Sequence, residues 1–163
     1  MVFGMSLETY TVIHVIISLV GIGSGLIVLF GMFSSKRLDG LTALFLVTTV
    51  LTSVTGFFFP FVHVTPGIIL GILSLIVLAI CIPARYTFHR AGKWRATYVI
   101  TAVIALYFNC FVLIAQSFQK VPALHKLAPT GSEPPFGIAQ GILLVLFIVA
   151  GIRAAKKFHP VTT

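Results

Sequence analysis

The feature that most constrains this chain is a series of five apolar runs separated by short polar connections. Each run approaches the roughly 20 mainly apolar residues that a helix needs to cross the hydrocarbon core of a bilayer. The 11 Lys and Arg residues and the three Asp and Glu residues all lie outside these runs. The sequence therefore predicts an all-α fold, a polytopic transmembrane helical bundle that forms one domain over residues 1–163. The predicted spans are 10–33, 41–61, 66–84, 96–118 and 135–152.

Composition supports a membrane environment and argues against a nucleic-acid partner. Hydrophobic residues make up 58% of the chain and charged residues 9%, compared with about 45–50% and about 25% in soluble domains. The net charge of +8 comes from basic residues in short clusters between the apolar runs, whereas a nucleic-acid-binding surface gathers them on one face. The predicted partners are membrane lipids and other membrane polypeptides, or further copies of this chain.

The positions of the basic residues predict how the bundle is oriented. Positive residues are retained on the cytoplasmic side during membrane insertion. With five spans, nine of the 11 Lys and Arg residues fall on one side, and only Lys120 and Lys126 fall on the other. We therefore expect the N-terminus outside and the C-terminus inside.

Small and hydroxyl residues predict how the helices pack. Three pairs of glycines have the spacing that lets two helix backbones approach closely, and they are Gly21/Gly25, Gly67/Gly71 and Gly137/Gly141. The second span is rich in Thr and Ser between residues 48 and 55, and their hydroxyls can bond the preceding turn or a neighbouring helix. This span is predicted to be central in the bundle.

The two cysteines are predicted to be free. Cys81 and Cys110 lie inside apolar runs and have neither the spacing of a zinc site nor that of a disulfide framework. Along antiparallel spans their depths would differ by about 20 Å, whereas a disulfide requires Cα atoms within about 7 Å. We expect two buried thiols.

The predicted inner loop at residues 85–95 mixes cations with aromatic side chains. This mixture is typical of a segment that lies at an anionic headgroup surface. The residues predicted to contact lipid headgroups are Arg85, Arg90, Lys93, Trp94 and Arg95.

Polar side chains within the spans fall in the outer half of the predicted bundle. Such residues are costly in a bilayer and usually face the bundle interior or a ligand. The candidates for a small-molecule or quinone pocket are His14, Asn109, Gln116 and Gln140.

Imidazole and carboxylate groups at the same end could instead hold a metal ion or haem. The candidate ligands are His14, His63, His125 and Glu133, and the last two belong to an outer loop with four prolines at 120–135. That loop is predicted to be stiff and to lie on the outer mouth. A third interpretation is that His14 bonds a neighbouring helix and that the loop histidines are solvated.

Several segments resemble one group of membrane proteins. They are residues 41–60 (LTALFLVTTVLTSVTGFFFP), 120–124 (KVPAL), 127–130 (LAPT) and 132–136 (SEPPF). They resemble an uncharacterised group of small multi-pass proteins of the bacterial inner membrane. The resemblance implies that localisation and carries no activity, cofactor or site residue.

No catalytic constellation or phosphate-binding loop is recognisable in the sequence. The leading hypothesis is a non-enzymatic membrane bundle, either an accessory subunit or a protein that binds lipids or a partner. The alternative is a redox or ligand-binding membrane protein that uses haem, a metal ion or a quinone through the outer histidines.

Overall fold

The computed structural model describes residues 2–60 and 63–159, and these residues form six α-helices and no strand. The helices are α1 (Leu7–Phe33), α2 (Asp39–Gly56), α3 (Pro66–Tyr86), α4 (Lys93–Lys120), α5 (Pro122–Leu127) and α6 (Pro134–Lys157). All of them except α5 are long and apolar enough to cross a membrane. The predicted all-α bundle is confirmed.

Local chemistry explains where the helices begin and end. The Ser6 side chain accepts a hydrogen bond from the Thr9 amide and starts α1 three residues before the apolar run. Thr65 caps α3 in the same way, and Pro66 occupies the first helical position. α2 ends at Gly56, ahead of Pro60, which has no N–H to donate and disfavours a helical residue before it. The predicted end of this span at residue 61 lies outside the described residues.

The structure places α4, rather than α2, at the centre of the bundle. α4 contacts α3, α5, α6 and α1 and buries ten residues. The prediction that the second span is central was wrong, because most of its hydroxyls bond their own helix. Thr48 donates to the Leu44 carbonyl at 2.6 Å, and Ser53 donates to the Thr49 carbonyl at 3.0 Å. A hydroxyl satisfied by the preceding turn does not require a buried partner.

The first glycine pair lies at a close helix crossing, as predicted. A Cβ added to Gly25 would lie 2.6 Å from Leu106 Cδ1 and 2.8 Å from Phe45 Cδ1. A Cβ added to Gly21 would lie 3.0 Å from the Thr48 hydroxyl. Alanine at Gly25 would collide with both α2 and α4, so glycine permits this three-helix contact.

The other two glycine pairs behave differently from the first. Gly71 faces the ring of Phe57, with its added Cβ 3.0 Å from Cζ, whereas Gly67 meets only Thr65 in its own cap. Gly137 and Gly141 of α6 have no atom within 4 Å of an added Cβ. The α6 pair is therefore on an open surface.

Hydrogen bonds tie the ends of α1, α4 and α6 together at one end of the bundle. The Ser35 hydroxyl donates to the Lys157 carbonyl at 2.9 Å. Arg95 Nη1 donates to the carbonyls of Ala155 at 2.7 Å and Phe158 at 2.8 Å. The loops at 34–38 and 87–92 and the C-terminal turn of α6 meet at this end, and all three carry basic residues. We call it the basic end. The end that carries α5 is the opposite end.

The proline-rich loop at the opposite end contains the short helix α5, which the sequence analysis did not predict. α5 packs back on α4, and Ala128 just after it is only 2% exposed. The Phe118 and Phe136 rings meet edge to face at 5.5 Å and join the end of α4 to the start of α6. The loop is therefore folded against the bundle. Cys81 and Cys110 are both buried and free.

Candidate functional site

His14 at the opposite end is bonded to α2. Its Nδ1 lies 2.7 Å from the Thr55 hydroxyl, and its ring meets Phe59 edge to face at 5.0 Å. The Thr55 hydroxyl gives its own proton to the Leu51 carbonyl, so it accepts from His14. Nδ1 therefore carries the hydrogen, and Nε2 is left as a free acceptor. This contact agrees with the interpretation that His14 joins two helices.

The four residues predicted to line a small-molecule pocket have separate surroundings. Asn109 donates from Nδ2 to the Thr49 hydroxyl of α2 at 3.2 Å. Gln140 donates from Nε2 to the Phe111 carbonyl of α4 at 3.2 Å, and its Oε1 is enclosed without a hydrogen-bond partner. Gln116 is exposed. Asn109 and Gln140 therefore join separate helix pairs, whereas Gln116 lies at the surface.

The predicted metal ligands do not assemble into a cluster. His63 and His125 are exposed. Glu133 accepts hydrogen bonds from the Thr130 hydroxyl at 2.7 Å and from the Ser132 amide at 3.2 Å, which closes the turn before α6. In residues 2–60 and 63–159, no three His, Cys, Asp or Glu side chains form a group that could hold a metal ion. A haem site, which needs only two histidines, stays a prediction.

The hydrogen bonds of this turn stabilise the ionised form of the Glu133 carboxyl. Donation from the Thr130 hydroxyl lowers its pKa below the usual value, and the backbone amides of Thr130 and Ser132 act in the same direction. Glu133 therefore functions as the ordering group of its own loop.

Arg85 at the basic end is buried, which corrects its prediction as a headgroup ligand. It is 4% exposed, donates from Nη1 to the Tyr98 hydroxyl at 2.9 Å, and forms an ion pair with Asp39. Its Nη2 also donates to the Arg37 carbonyl at 3.4 Å. Arg85 lies one residue before the end of α3, where its long side chain can turn inward and reach α2 and α4.

Arg90 is also buried, although it belongs to the connection between α3 and α4. His89 and Arg90 have left-handed backbone angles, with φ of 47° and 58°, and the Arg90 amide donates to the Ala84 carbonyl at 2.9 Å. This turn folds Arg90 back, leaving it 8% exposed with its Nε enclosed and without a hydrogen-bond partner. Arg90 is therefore enclosed at this end of the bundle, and its predicted contact with lipid headgroups stays a prediction.

The other predicted headgroup residues divide into two kinds. Lys93 and Trp94 are exposed, and Trp94 stacks on Phe88 with ring centroids 4.1 Å apart. Arg95 is half-buried and bonds the last carbonyls of α6, a favourable role for a cation at a helix C-terminus. Lys93 and Trp94 remain suited to an interface, whereas Arg95 joins α4 to α6.

These contacts define an arginine cluster made of Arg37, Asp39, Arg85, Arg90 and Tyr98. Asp39 pairs with both Arg37 and Arg85, so one carboxylate serves two guanidinium groups, and Arg90 is a third cation nearby. Burial lowers the pKa of Arg90, and the nearby charges of Arg85 and Arg37 lower it further, yet a guanidinium remains protonated in proteins. The cluster carries an excess of positive charge.

Asp39 was not predicted from the sequence to belong to this cluster. It is the only Asp in the chain, and it belongs to the predicted inner side, where most of the basic residues lie. A single carboxylate among cations was the available signal for an ion pair. Its partner Arg85 is 46 residues away, so only the packing of α2 against α3 identifies the pair.

Two apolar hollows lie on the surface of the bundle. The α4–α6 groove, of about 420 Å³, has walls that include Val103, Tyr107, Phe147 and Gly151, with Lys156 at its basic end. The α6 hollow, of about 470 Å³, is lined by Ile138, Gly141, Ile142, Val145 and Leu146. Neither hollow is lined by the candidate polar residues of the opposite end.

Comparisons with protein-family models, with curated proteins and with solved structures found no match to this chain. The fold itself defines the class. The chain is a helical integral membrane protein with five helices that can cross a bilayer.

Proposed function

We propose that this protein is a non-enzymatic accessory bundle of the bacterial inner membrane that binds a transmembrane helix of another polypeptide through α6. The observation that carries the proposal is the open face of α6. Only Gln140 and Ala154 are buried in this helix, whereas the central helix α4 buries ten residues. Among the long helices, α6 packs mainly against α4 and α1.

An apolar face alone would be satisfied by lipid, so the glycine pair on α6 is the feature that favours a protein partner. Gly137 and Gly141 have open space above them, and Gly141 lines the α6 hollow. Packing between membrane helices depends on small residues that allow close backbone approach. The pair Gly21/Gly25 already serves this purpose inside the bundle, and the α6 pair offers the same geometry outward.

The test compares two glycines that are both open in the structure. A Cβ at Gly141 or at Gly23 of α1 meets nothing within 4 Å, so leucine is tolerated by the fold at either position. A photocrosslinking residue at Val145, which is 60% exposed, should capture a membrane polypeptide in intact cells. Gly141→Leu should abolish that adduct, and Gly23→Leu should leave it unchanged.

Two results would contradict the proposal. One is that position 145 yields only lipid adducts, while purification in mild detergent returns a free monomer. The other is an adduct of equal yield in Gly141→Leu and in the unaltered chain. An adduct between two copies of this chain would replace the foreign partner with a homodimer.

A second candidate function rests on the free Nε2 of His14. This nitrogen is left as an acceptor by the bond from Nδ1 to Thr55, so it could ligate haem or a metal ion, or accept a hydrogen bond from a quinone. A visible spectrum with elemental analysis of the purified protein separates this function from the first. A Soret band lost in His14→Ala would establish haem, and a colourless, metal-free preparation would remove both haem and metal.

A further inference from the structure

The arginines at the basic end differ in how their charges are satisfied. Arg85 has a carboxylate and a phenol as partners, and Arg95 has two backbone carbonyls. Arg90 has the same charge and comparable burial to Arg85, but its enclosed Nε has no partner. A buried charge without a partner is costly, and native proteins usually satisfy such groups.

The only carboxylate in the cluster is already engaged. The two ion pairs found among the described residues both go to Asp39, one from Arg37 and one from Arg85. The remaining acidic residues of the chain, Glu8 and Glu133, belong to the opposite end. The charge of Asp39 also acts on Arg90, but the part of the chain that the structure describes supplies no second carboxylate for it.

We propose that the arginine cluster is a binding site for a phosphate-bearing anion, which Arg90 contacts beside Arg85. A guanidinium matches a phosphate group through two parallel hydrogen bonds. The excess positive charge of the cluster favours an anion over a neutral ligand. Two sources fit this chemistry, the headgroup of an anionic phospholipid and a free phosphate compound.

The surroundings of Arg90 favour the lipid headgroup. Arg90 lies in the short connection between two helices that can cross a membrane. The stacked Phe88 and Trp94 rings and the exposed Lys93 flank the same connection, and such aromatic and cationic residues occupy the headgroup level of a bilayer. This inference does not depend on what binds α6.

The chain contains a single tryptophan, which makes Trp94 a specific reporter for the site. The purified protein in neutral detergent is titrated with phosphatidylglycerol, with phosphatidylcholine of the same acyl chains, or with inorganic phosphate, while Trp94 fluorescence is recorded. Phosphatidylglycerol should give a saturable change that phosphatidylcholine gives only weakly. Saturation by inorganic phosphate at low concentration would assign the site to a soluble ligand instead.

Three variants separate the site from general surface charge. Arg90→Gln should weaken phosphatidylglycerol binding at least ~10-fold, because a charge-assisted bidentate contact is lost. Arg90→Lys keeps the charge without the planar donor pair and should fall between the two. Lys36→Gln removes an exposed charge at the same end and should change the affinity less than ~3-fold, as expected for a solvated charge.

The proposal is overturned if Arg90→Gln and Lys36→Gln bind phosphatidylglycerol equally well, or if the unaltered protein shows no saturable response to any of the three ligands. Should Arg90→Gln fail to fold, Arg90→Lys carries the same comparison, and an affinity equal to that of the unaltered protein contradicts the bidentate site.

Discussion

At the scale of single residues, the basic end depends on one carboxylate that serves two arginines. The Arg85 side chain is 3% exposed and the Asp39 side chain is 60% exposed, so Asp39 lies at the surface and Arg85 lies beneath it. A charge count places Arg85 outside the third span, but it cannot indicate that the side chain turns inward. That orientation depends on Asp39 and Tyr98, which belong to other helices.

We expect Asp39→Ala to destabilise the bundle by about 1–3 kcal/mol, because Arg85 is left buried with only neutral partners. The exposure of Asp39 keeps the effect below that of a fully buried pair. Tyr98→Phe removes one neutral hydrogen bond from Arg85 and should cost about 1 kcal/mol. Thermal unfolding in detergent measures both effects.

The double variant Asp39→Ala with Arg85→Met provides the control. It removes the buried charge together with its partner, so it should recover part of the stability lost in Asp39→Ala. If the double variant loses more stability than the two single variants lose together, the loss of Asp39 does not act through the buried charge of Arg85.

At the scale of helices, the sequence predicted the five long elements and missed their details. Apolar length determines that a span exists, so each predicted run corresponds to a helix. The start of α1 moved because its cap, Ser6, lies outside the apolar run, and other ends moved because charged side chains are accommodated at helix ends. α5 was missed since a short amphipathic segment with prolines carries no comparable signal.

The glycine pairs show the same distinction between what a pattern predicts and what packing decides. Their spacing is alike in the sequence, but only the structure separates Gly25, which faces Leu106 and Phe45, from Gly137 and Gly141, which face open space. We expect Gly25→Ala to destabilise the protein by about 1–3 kcal/mol through overpacking.

Gly23→Ala is the matched change in the same helix. It meets no neighbour and should be neutral or stabilising by up to about 1 kcal/mol, because alanine favours the helix. Unfolding temperatures of the two variants in one detergent decide the comparison, and equal temperatures would exclude a close crossing at Gly25.

At the scale of the whole molecule, the fold class could be predicted from the sequence, because an apolar composition indicates that the chain folds in a membrane. The candidate site did not follow, because His14, Asn109 and Gln140 belong to the same predicted half of the bundle but bond different neighbours. Hydropathy along the sequence indicates only how deep in the membrane a residue lies. Which face of α4 each side chain meets is decided by helix rotation and packing.

Orientation is a testable property of the whole molecule. We expect residues 34–40, 85–95 and 153–163 on the cytoplasmic side and residues 62–65 and 119–134 outside, since positive residues are retained inside. Single cysteines at Lys36 and Lys126, in a chain with Cys81 and Cys110 replaced, are labelled with an impermeant reagent in intact cells. We expect labelling at position 126 alone. Labelling at position 36 alone would show that the bundle has the reverse orientation in the membrane.

Thiol counting tests the native state of the two cysteines. Both are free and buried, so denaturing detergent without reductant should reveal two thiols per chain. Under native conditions neither should react quickly, since Cys81 is 0% exposed and Cys110 is 8% exposed. A count near zero in a monomeric sample would show a disulfide that the helix packing forbids.

The contact between Arg95 and the end of α6 has a consequence for the order of assembly during synthesis. Arg95 precedes Ala155 by 60 residues and Phe158 by 63, so its partners have not yet been inserted when α4 enters the bilayer. Until α6 arrives, both the cation and the carbonyls of that last turn rely on water or lipid. Shortening the chain before residue 155 would therefore weaken the start of α4, far upstream of the cut.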